Sequence, residues 1–343
     1  MADNAYARAG VDASRAERAI AGLVEVLRTI DPGRPSRSVV GSGHYAAVIA
    51  LDDETGIALS ADGVGSKVIV AEQLERYDTV GIDCVAMNVN DLVCVGAEPV
   101  ALLDYIALED ADPDVLRQIA VGLKAGAEQA GIEIPGGEVA QLPELIRGHP
   151  SPRGFDLAAA AFGTVRLDAL VTGELVAPGD AVIGLPSSGL HSNGYTLARS
   201  VFPDLAENVG GRSAGEELLE PTVIYVRAAL ELLRALPVHG LAHITGDGLL
   251  NLLRLNPAVG YSIDSPLPVL PVFELIAERA GASAEDMWTT FNMGCGFCSI
   301  VPGDRAAAAI ELLSAHHSGA ARIGSVTAEA GLVELPGLSL RRA

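Results

Sequence analysis

Thr79-Val-Gly-Ile-Asp83-Cys-Val-Ala-Met-Asn88-Val-Asn90-Asp91-Leu-Val-Cys-Val95 is the stretch on which the fold turns. Its length and apolar content suit a helix buried in a core, yet Asp83, Asn88, Asn90 and Asp91 are embedded in it. Burying a carboxylate and two amides is costly unless they are paired or meet a cation. Two readings stand: an internal hydrogen-bond cluster, or a face that binds a ligand. Asp104, in Leu102-Leu103-Asp104-Tyr105 of a β-like stretch at 100–107, raises the same question.

Outward from this helix the chain alternates. Residues 39–51 and 57–60 read as strands parted by the acidic turn Asp52-Asp53-Glu54-Thr55-Gly56. Ser14-Arg-Ala-Glu17 is a capping box for a first helix carrying Ile20, Leu23, Val24 and Leu27, and Asp31-Pro32-Gly33 ends it. Asp112-Pro113-Asp114 caps a helix that stops near Gly131, strands follow at 132–135 and 157–165, and the proline-rich stretch 142–154 between them is a loop. The turn-rich stretch 171–180 is the expected domain junction. Beyond it lie strands at 181–185, 260–263 and 296–301, and helices at 194–202, 221–236, 245–255, 272–280 and 305–314. The pattern implies an α/β (α+β) chain in two domains, 1–170 and 171–343, without repeats or heptads.

The 343 residues suffice for two cores. A formal charge of −21 repels phosphate backbones and anionic lipid, which argues against nucleic acid and membrane as partners. An anionic small molecule must then be held by local devices. No apolar run is long enough for a bilayer, 1–10 has no signal-peptide core, and four cysteines are too few for a secreted disulfide framework. The expectation is a cytoplasmic protein.

Five constellations could carry chemistry. Asp62-Gly63-Val64-Gly65-Ser66-Lys67 follows a strand; its glycines let amides approach a ligand, Lys67 supplies charge and Asp62 a metal ligand, as a phosphate–Mg²⁺ site needs. Only Lys67 and Lys124 are lysines against 21 arginines, which tilts Lys67 toward function over an exposed turn residue. The second constellation is Asn88-Val-Asn90-Asp91-Leu92. The third, Gly136-Gly137-Glu138, reads as a flexible approach ending in a carboxylate. Separated carboxylates near one lysine are how a protein without a Walker loop would hold Mg·ATP. The fourth, Ser187-Ser188-Gly189-Leu190-His191-Ser192-Asn193-Gly194, runs into a helix start and suits an anion, with His191 either structural or a proton carrier. The fifth is His243-Ile-Thr245-Gly246-Asp247-Gly248, where Asp247 opposes an anion unless a cation intervenes. Gly41-Ser-Gly43-His44-Tyr-Ala46 mimics a dinucleotide fingerprint but leads into a strand, so it reads as a glycine-rich loop. Cys295-Gly-Phe-Cys298 has redox or zinc spacing, yet it stands alone and enters an apolar strand, so buried inert thiols are expected.

Taken in order, Asp62–Lys67, Asn90-Asp91-Leu92, Gly136-Gly137-Glu138, His191-Ser-Asn-Gly194, His243–Gly248 and Phe291-Asn-Met-Gly-Cys-Gly296 resemble the phosphoribosylformylglycinamidine cyclo-ligase family, as does the opening Tyr6-Ala-Arg-Ala-Gly10-Val-Asp12. The resemblance spans nearly the whole chain. It implies an N-terminal domain that dimerises through its sheet and a C-terminal α/β domain that closes the cleft. It also implies ATP, Mg²⁺ and formylglycinamidine ribonucleotide as ligands. By matched position, Asp62, Asp91 and Glu138 would hold Mg²⁺, and Lys67 would neutralise ATP phosphates. The loop Gly41, Gly43 and His44 would cover the nucleotide, which Gly63, Gly65, Ser66, Asn90, Gly136 and Gly137 would also line. Ser187, Ser188, His191, Ser192, Asn193, Thr245 and Gly246 would face the substrate, with His191, Lys67 and Asp91 the catalytic candidates.

Three departures stand out: the N-terminal loop lacks the longer glycine run of many relatives, Asp247 replaces the third position of Thr-Gly-Gly-Gly, and 139–154 lacks the Thr-Ala and Met-Pro-Gly pattern. Sister enzymes differ elsewhere. Selenide water dikinase would show a reactive Cys near the glycine-rich loop, whereas the first here is Cys84. The hydrogenase-maturation relative needs a C-terminal Cys, and thiamine-monophosphate kinase has adjacent aspartates where this chain has Asp62-Gly63. A non-catalytic nucleotide-binding protein would not need the acidic set together with Lys67 and His191.

Overall fold

The structure is a computed structural model that describes residues 13–341. The motif at 6–12 lies outside the described residues, as do the side chains of Ser14 and Glu17 and hence the expected capping box.

The first half contains α1 (Ala13–Leu27), β1 (Ser38–Val40), β2 (Ala47–Ala50), β3 (Thr55–Gly63), α2 (Val68–Leu74), α3 (Val80–Cys94), β4 (Glu98–Leu108), α4 (Pro113–Ala130), β5 (Glu133–Gln141) and β6 (Phe155–Arg166). Its six-stranded sheet has the order β1-β2-β3-β6-β4-β5. The pairs are antiparallel except β4 with β5, which run parallel because α4 carries the chain back between them. The Asp112 carboxylate accepts from the Asp114 and Val115 amides, with Pro113 in the first turn, and Gly131 in the left-handed region ends the helix.

Strand β6 alternates buried and exposed along its whole length, the signature of a sheet with one covered face. Helix α3 packs on that covered face. It approaches α4 closely: a Cβ on Gly81 would stand 2.2 Å from the Leu123 nitrogen, and one on Gly122 would stand 2.6 Å from the Asp78 carbonyl. The other face leaves Leu59, Leu103, Tyr105 and Phe162 exposed, Leu59 directly opposite Phe162 and the two β4 residues opposite Ala160 and Ala158 of β6.

The second half contains β7 (Ala181–Pro186), α5 (Tyr195–Val201), β8 (Asn208–Val209), β9 (Arg212–Ser213), α6 (Ala214–Leu218), α7 (Val226–Ala235), β10 (Gly240–His243), β11 (Gly260–Ser262), α8 (Pro271–Ala280), α9 (Ala284–Thr290), β12 (Cys295–Val301), α10 (Ala306–His316), β13 (Ala321–Thr327), β14 (Leu332–Leu335) and β15 (Leu338–Arg341). Its seven-stranded sheet runs β10-β12-β7-β13-β11-β14-β15. One apolar core joins α3 and the first sheet to Leu197, Leu218, Phe273 and Phe291 of the second half, so the halves are packed together.

Several elements differ from the sequence reading. The strand expected at 39–51 is broken into β1 and β2 by the glycine-rich loop. Gly136, Gly137 and Glu138 lie inside β5 rather than in a flexible approach, because parallel pairing with β4 takes up their backbone. The helix expected from 221 begins at Val226, because the Thr222 and Tyr225 amides are held by Asp83 and Asn90 instead. The segment at 245–255 forms a 3-10 helix, Gly248–Arg254.

The α3–α4 contact is backbone against backbone, with no flexible side chain to move aside. Gly81→Ala should therefore cost at least about 1–3 kcal/mol, the usual range for overpacking. A fall in the urea midpoint at unchanged slope would show it; an unchanged midpoint would refute the close approach.

Candidate functional site

The buried polar residues of α3 pin the segments around it. Asn88 donates to the Asp62 carbonyl (3.1 Å) and accepts from the Asp62 amide (3.0 Å), locking the end of β3 to the helix. Asn90 donates to the Val223 carbonyl and accepts from the Tyr225 amide, both at 2.9 Å. Both asparagines are fully buried, so they form the internal cluster, and Asn90 has no surface to offer a cofactor.

Asp83 carries the heaviest load. Its Oδ1 accepts from Lys67 Nζ (2.9 Å), the Thr222 amide (2.8 Å), Thr222 Oγ1 (2.6 Å) and Ser192 Oγ (3.3 Å). Lys67 also donates to the His191 carbonyl (3.1 Å) and the Glu220 carbonyl (2.6 Å), and neither charged side chain is exposed. All three N–H donors of Lys67 are thus engaged. The expectation that Lys67 neutralises nucleotide phosphates is corrected: burial pushes its pKa down, Asp83 restores part of it, and the ammonium ties the two halves together.

His191 is likewise displaced from its expected role. Its backbone is left-handed (φ 63°), which turns the carbonyl toward Lys67. Its ring lies buried beside Tyr225 and against Gly296, where a Cβ would stand 2.5 Å from Cε1. Nε2 accepts weakly from the Ser188 amide (3.4 Å). Burial, with the fields of His243 and Lys67, drives its pKa well below the ordinary histidine value. The ring is sealed from solvent with Nδ1 buried and unpartnered, so it does not face a cleft as expected. Ser187 bonds Asn292 (2.8 Å) and Ser188 bonds the Pro221 carbonyl (2.5 Å), so both hydroxyls brace the loop. Ser192 sits on Asp83. Asn193 remains available: its Nδ2 is buried without an acceptor, and its Oδ1 is 3.2 Å from where a Cβ on Gly246 would be.

The residues the structure does bring together lie where β3, α3, the glycine-rich loop and the second half meet. Asp91 Oδ1 lies 2.9 Å from His243 Nδ1. Asn90 Nδ2 stands 3.5 Å from Nε2, which assigns the ring proton to Nδ1 and makes it a donor to Asp91. Burial raises the pKa of Asp62, and the neighbouring Asp91 charge adds to the rise. Burial lowers the pKa of His44, against the raising influence of the Thr172 backbone and the Asp91 charge, and both its ring nitrogens are buried without partners. Gly41, Gly43 and Gly65 are exposed there, with Gly43 and Gly65 in the left-handed region. Thr245 is anchored by its amide to Asn251 Oδ1 (2.7 Å), leaving Gly246 exposed beside it.

Glu138 does not join them. Asp62, Ala159, Asp104 and Gly137 form one row across β3, β6, β4 and β5, on the face that α3 covers. Glu138 is one residue on, so it points to the opposite face, and three strand steps of about 4.8 Å put it roughly 14 Å away. Gly137 makes room for a carboxylate: a Cβ there would stand 2.4 Å from Asp104 Oδ1. Among the described residues, no group of three or more His, Cys, Asp or Glu side chains could hold a metal ion. The expected set Asp62, Asp91 and Glu138 is therefore corrected to the pair Asp62 and Asp91. That pair still fits Mg²⁺, which commonly takes one or two carboxylates with phosphate and water completing its shell.

Cys295 and Cys298 are buried with their sulfurs 3.6 Å apart, and the hydrogen bond to Cys295 together with burial pushes the Cys298 thiol up, as inert thiols require. Sequence reasoning marked Asp83 as a buried polar residue without finding its partners, and passed over Thr222, Tyr45 and Arg254. For Arg254 a signal existed, since Asp247 lies two helical turns before it.

Two glycine-loop domains around a buried, acidic junction define the class. Residues 43–165 match the family described as AIR synthase related protein, N-terminal domain, and 177–334 match its C-terminal domain. The phosphoribosylformylglycinamidine cyclo-ligase of Thermococcus gammatolerans is 46% identical over 342 residues, covering 98% of this chain and 99% of that one. That of Methanothermobacter thermautotrophicus is 47% identical over 338 residues, 96% of each. The chain belongs to the phosphoribosylformylglycinamidine cyclo-ligase family. The fold also resembles the hydrogenase maturation protein HypE solved in complex with ATP, with a TM-score of 0.60 at 22% identity over 84% of this chain and 83% of that one.

Removing the ammonium alone leaves Asp83 charged and buried. Lys67→Met should cost about 3–5 kcal/mol, and adding Asp83→Asn should return a large part of it. Denaturant titration decides: a loss below about 0.5 kcal/mol, typical of a surface change, would show that Lys67 is not the tie.

Proposed function

We propose that the chain is an ATP-dependent cyclo-ligase acting on formylglycinamidine ribonucleotide. The amide oxygen of the formyl group is a poor leaving group. Transfer of the ATP γ-phosphoryl to that oxygen releases ADP and gives an iminophosphate. A substrate nitrogen then attacks the same carbon, the C–O bond breaks, phosphate departs with the oxygen, and loss of a proton leaves the aromatic aminoimidazole ring.

The observation that carries the site is the Asp62–Asp91 pair beside His243. Two carboxylates share a mostly buried place, and Asp62 ionises reluctantly there. Mg²⁺ held by them would screen the phosphate charges when bound. His243, its proton held on Asp91, fixes that carboxylate's direction. Gly41, Gly43 and His44 cover the nucleotide, and Gly63, Gly65 and Ser66 lend backbone to it. Asn193, Thr245 and Gly246 approach the substrate from the second half. ATP is supported by the fold relative solved with it. The domain division falls at 170/171, and the setting is the cytoplasm. No helix among the described residues is long and apolar enough to cross a membrane.

The open face of the first sheet supplies a homodimer contact. Leu59, Leu103, Tyr105 and Phe162 are about two-fifths to one-half exposed there, as only a covered face would favour. Glu138 shares that face and would lie toward the partner copy. Leu103→Glu should shift the sedimenting species from dimer to monomer; an unchanged dimer would place the contact elsewhere.

Steady-state assay with ATP, Mg²⁺ and formylglycinamidine ribonucleotide should yield ADP and aminoimidazole ribonucleotide in equal amounts, and no product above blank rejects the reading. Asp62→Asn separates binding from folding. Because the folded pKa of Asp62 lies above its unfolded value, its stabilising share is present below the ordinary carboxylate range and is lost as pH rises through the raised value. At neutral pH the asparagine variant should melt higher than wild type without ligand, the gap closing near about pH 4. Its affinity for Mg·ATP should fall at least about tenfold, a loss of some 1.4 kcal/mol.

A further inference from the structure

A phosphate arriving beside Asp62 and Asp91 needs a positive partner, and Lys67 is fully engaged elsewhere. Arg254 ends the 3-10 helix Gly248–Arg254 and stands at this junction. Its guanidinium lies over the Tyr45 ring, 5.4 Å from the centroid. Tyr45 follows His44 in the glycine-rich loop and donates its hydroxyl to the Asn251 carbonyl at 2.9 Å, so loop and helix are clamped together. Arg254 Nη2 donates to Asp247 Oδ2 at 3.0 Å. Its Nε is buried and has no acceptor.

The same turn holds a second such donor. Asn193 abuts Gly246, and its Nδ2 is buried with nothing to donate to. A buried donor left unpaired costs about 1–3 kcal/mol. Asn193 flanks the exposed Gly246 and Arg254 is held by Asp247, the next residue, so the two donors fit a turn whose acceptor arrives with a ligand. Arg254 is within electrostatic reach of Asp91 and of His44, the residues that mark the nucleotide side of the junction.

We propose that Arg254 is a phosphate-binding residue of this site, steadied by Asp247 and Tyr45, with the Asn193 amide as the second donor. Asp247, which occupies a position expected to be glycine, is then a positioning residue. Its carboxylate holds one edge of a planar fork and leaves another edge free for a phosphoryl oxygen, a geometry that the single point of a lysine would not provide. The phosphate belongs either to ATP or to the ribose end of the substrate. The inference rests on the reading that both ligands meet at this junction.

The test is the Michaelis constant for each substrate in Arg254→Gln and Arg254→Lys, with melting temperatures measured alongside. Arg254→Gln should raise KM for one phosphorylated substrate at least about tenfold, leave the other within about threefold, and change kcat less than that KM. Arg254→Lys should recover part of the loss, because charge returns without the fork. A rise confined to ATP assigns the triphosphate; a rise confined to the ribonucleotide assigns the 5′-phosphate. Unchanged KM values, or equal rises for both accompanied by a lower melting temperature, overturn the assignment. If Arg254→Gln is too unstable to assay, Asn193→Ala carries the same comparison, and the same outcomes decide. Wild-type protein that turns over neither substrate fails the parent reading instead, so the two failures are distinguishable.

Discussion

A lysine ammonium and an aspartate carboxylate, both sealed from water, hold the two halves of the chain in register. Lys67 and Asp83 come from the first half, while the groups that complete their shell come from the second: the His191 and Glu220 carbonyls, the Thr222 amide and hydroxyl, and the Ser192 hydroxyl. A buried ion pair is poor evidence of net stability, since desolvation can exceed the attraction. What it does fix is geometry. The ammonium has three donors and needs three acceptors at once, so the loop at 187–194 and the run at 220–225 have one position relative to α3.

That constraint explains the company the pair keeps. His191 takes a left-handed backbone so that its carbonyl can point at Lys67, and its ring is then sealed beside Tyr225 and Gly296. The start of α7 is delayed to Val226 because the amides before it are committed to α3 side chains. Asn90 and Asp83 together replace the first turn that a helix from 221 would have formed. Function depends on this at one remove, because the same register sets Thr245, Gly246 and Arg254 opposite Asp62 and Asp91.

Much of the fold was legible in the sequence, for reasons that can be named. Helix α3 announces itself by length and apolar content, and α4 by Asp112-Pro113 at one end and Gly131 at the other. Strand β7 is an unbroken apolar run. Strands β10, β14 and β15 were missed because they are four residues long and owe their conformation to neighbours on the sheet, and the seven-residue β13 was missed with them. The site was harder. Scarcity of lysine marked Lys67 correctly as special but gave the wrong reason, since a tetrahedral ammonium suits one carboxylate and two carbonyls where a planar guanidinium would not fit. Gly136-Gly137 looked like a flexible approach because pairing partners are invisible in sequence. Inside β5, Gly137 instead admits the Asp104 side chain, and a one-residue offset sends Glu138 to the other face.

The acidic pair makes best sense as unfinished business. In a chain of net charge −21, placing Asp62 in a mostly buried spot beside Asp91 works against folding, and the one bond its carboxylate accepts, from the Gly63 amide (2.7 Å), an asparagine oxygen would accept as well. Asn88 already holds the β3 backbone to α3 through main-chain groups of Asp62, so a neutral side chain there would serve the fold as well. A feature that folding does not need and electrostatics opposes persists where a ligand of opposite charge repays it. In the proposed site, Arg254, the glycine-rich loop at His44 and the exposed turn at Gly246 would supply the remaining walls of that place. The local charge conflict, more than any single motif, is what supports the proposed nucleotide site over a scaffold that merely shares the fold.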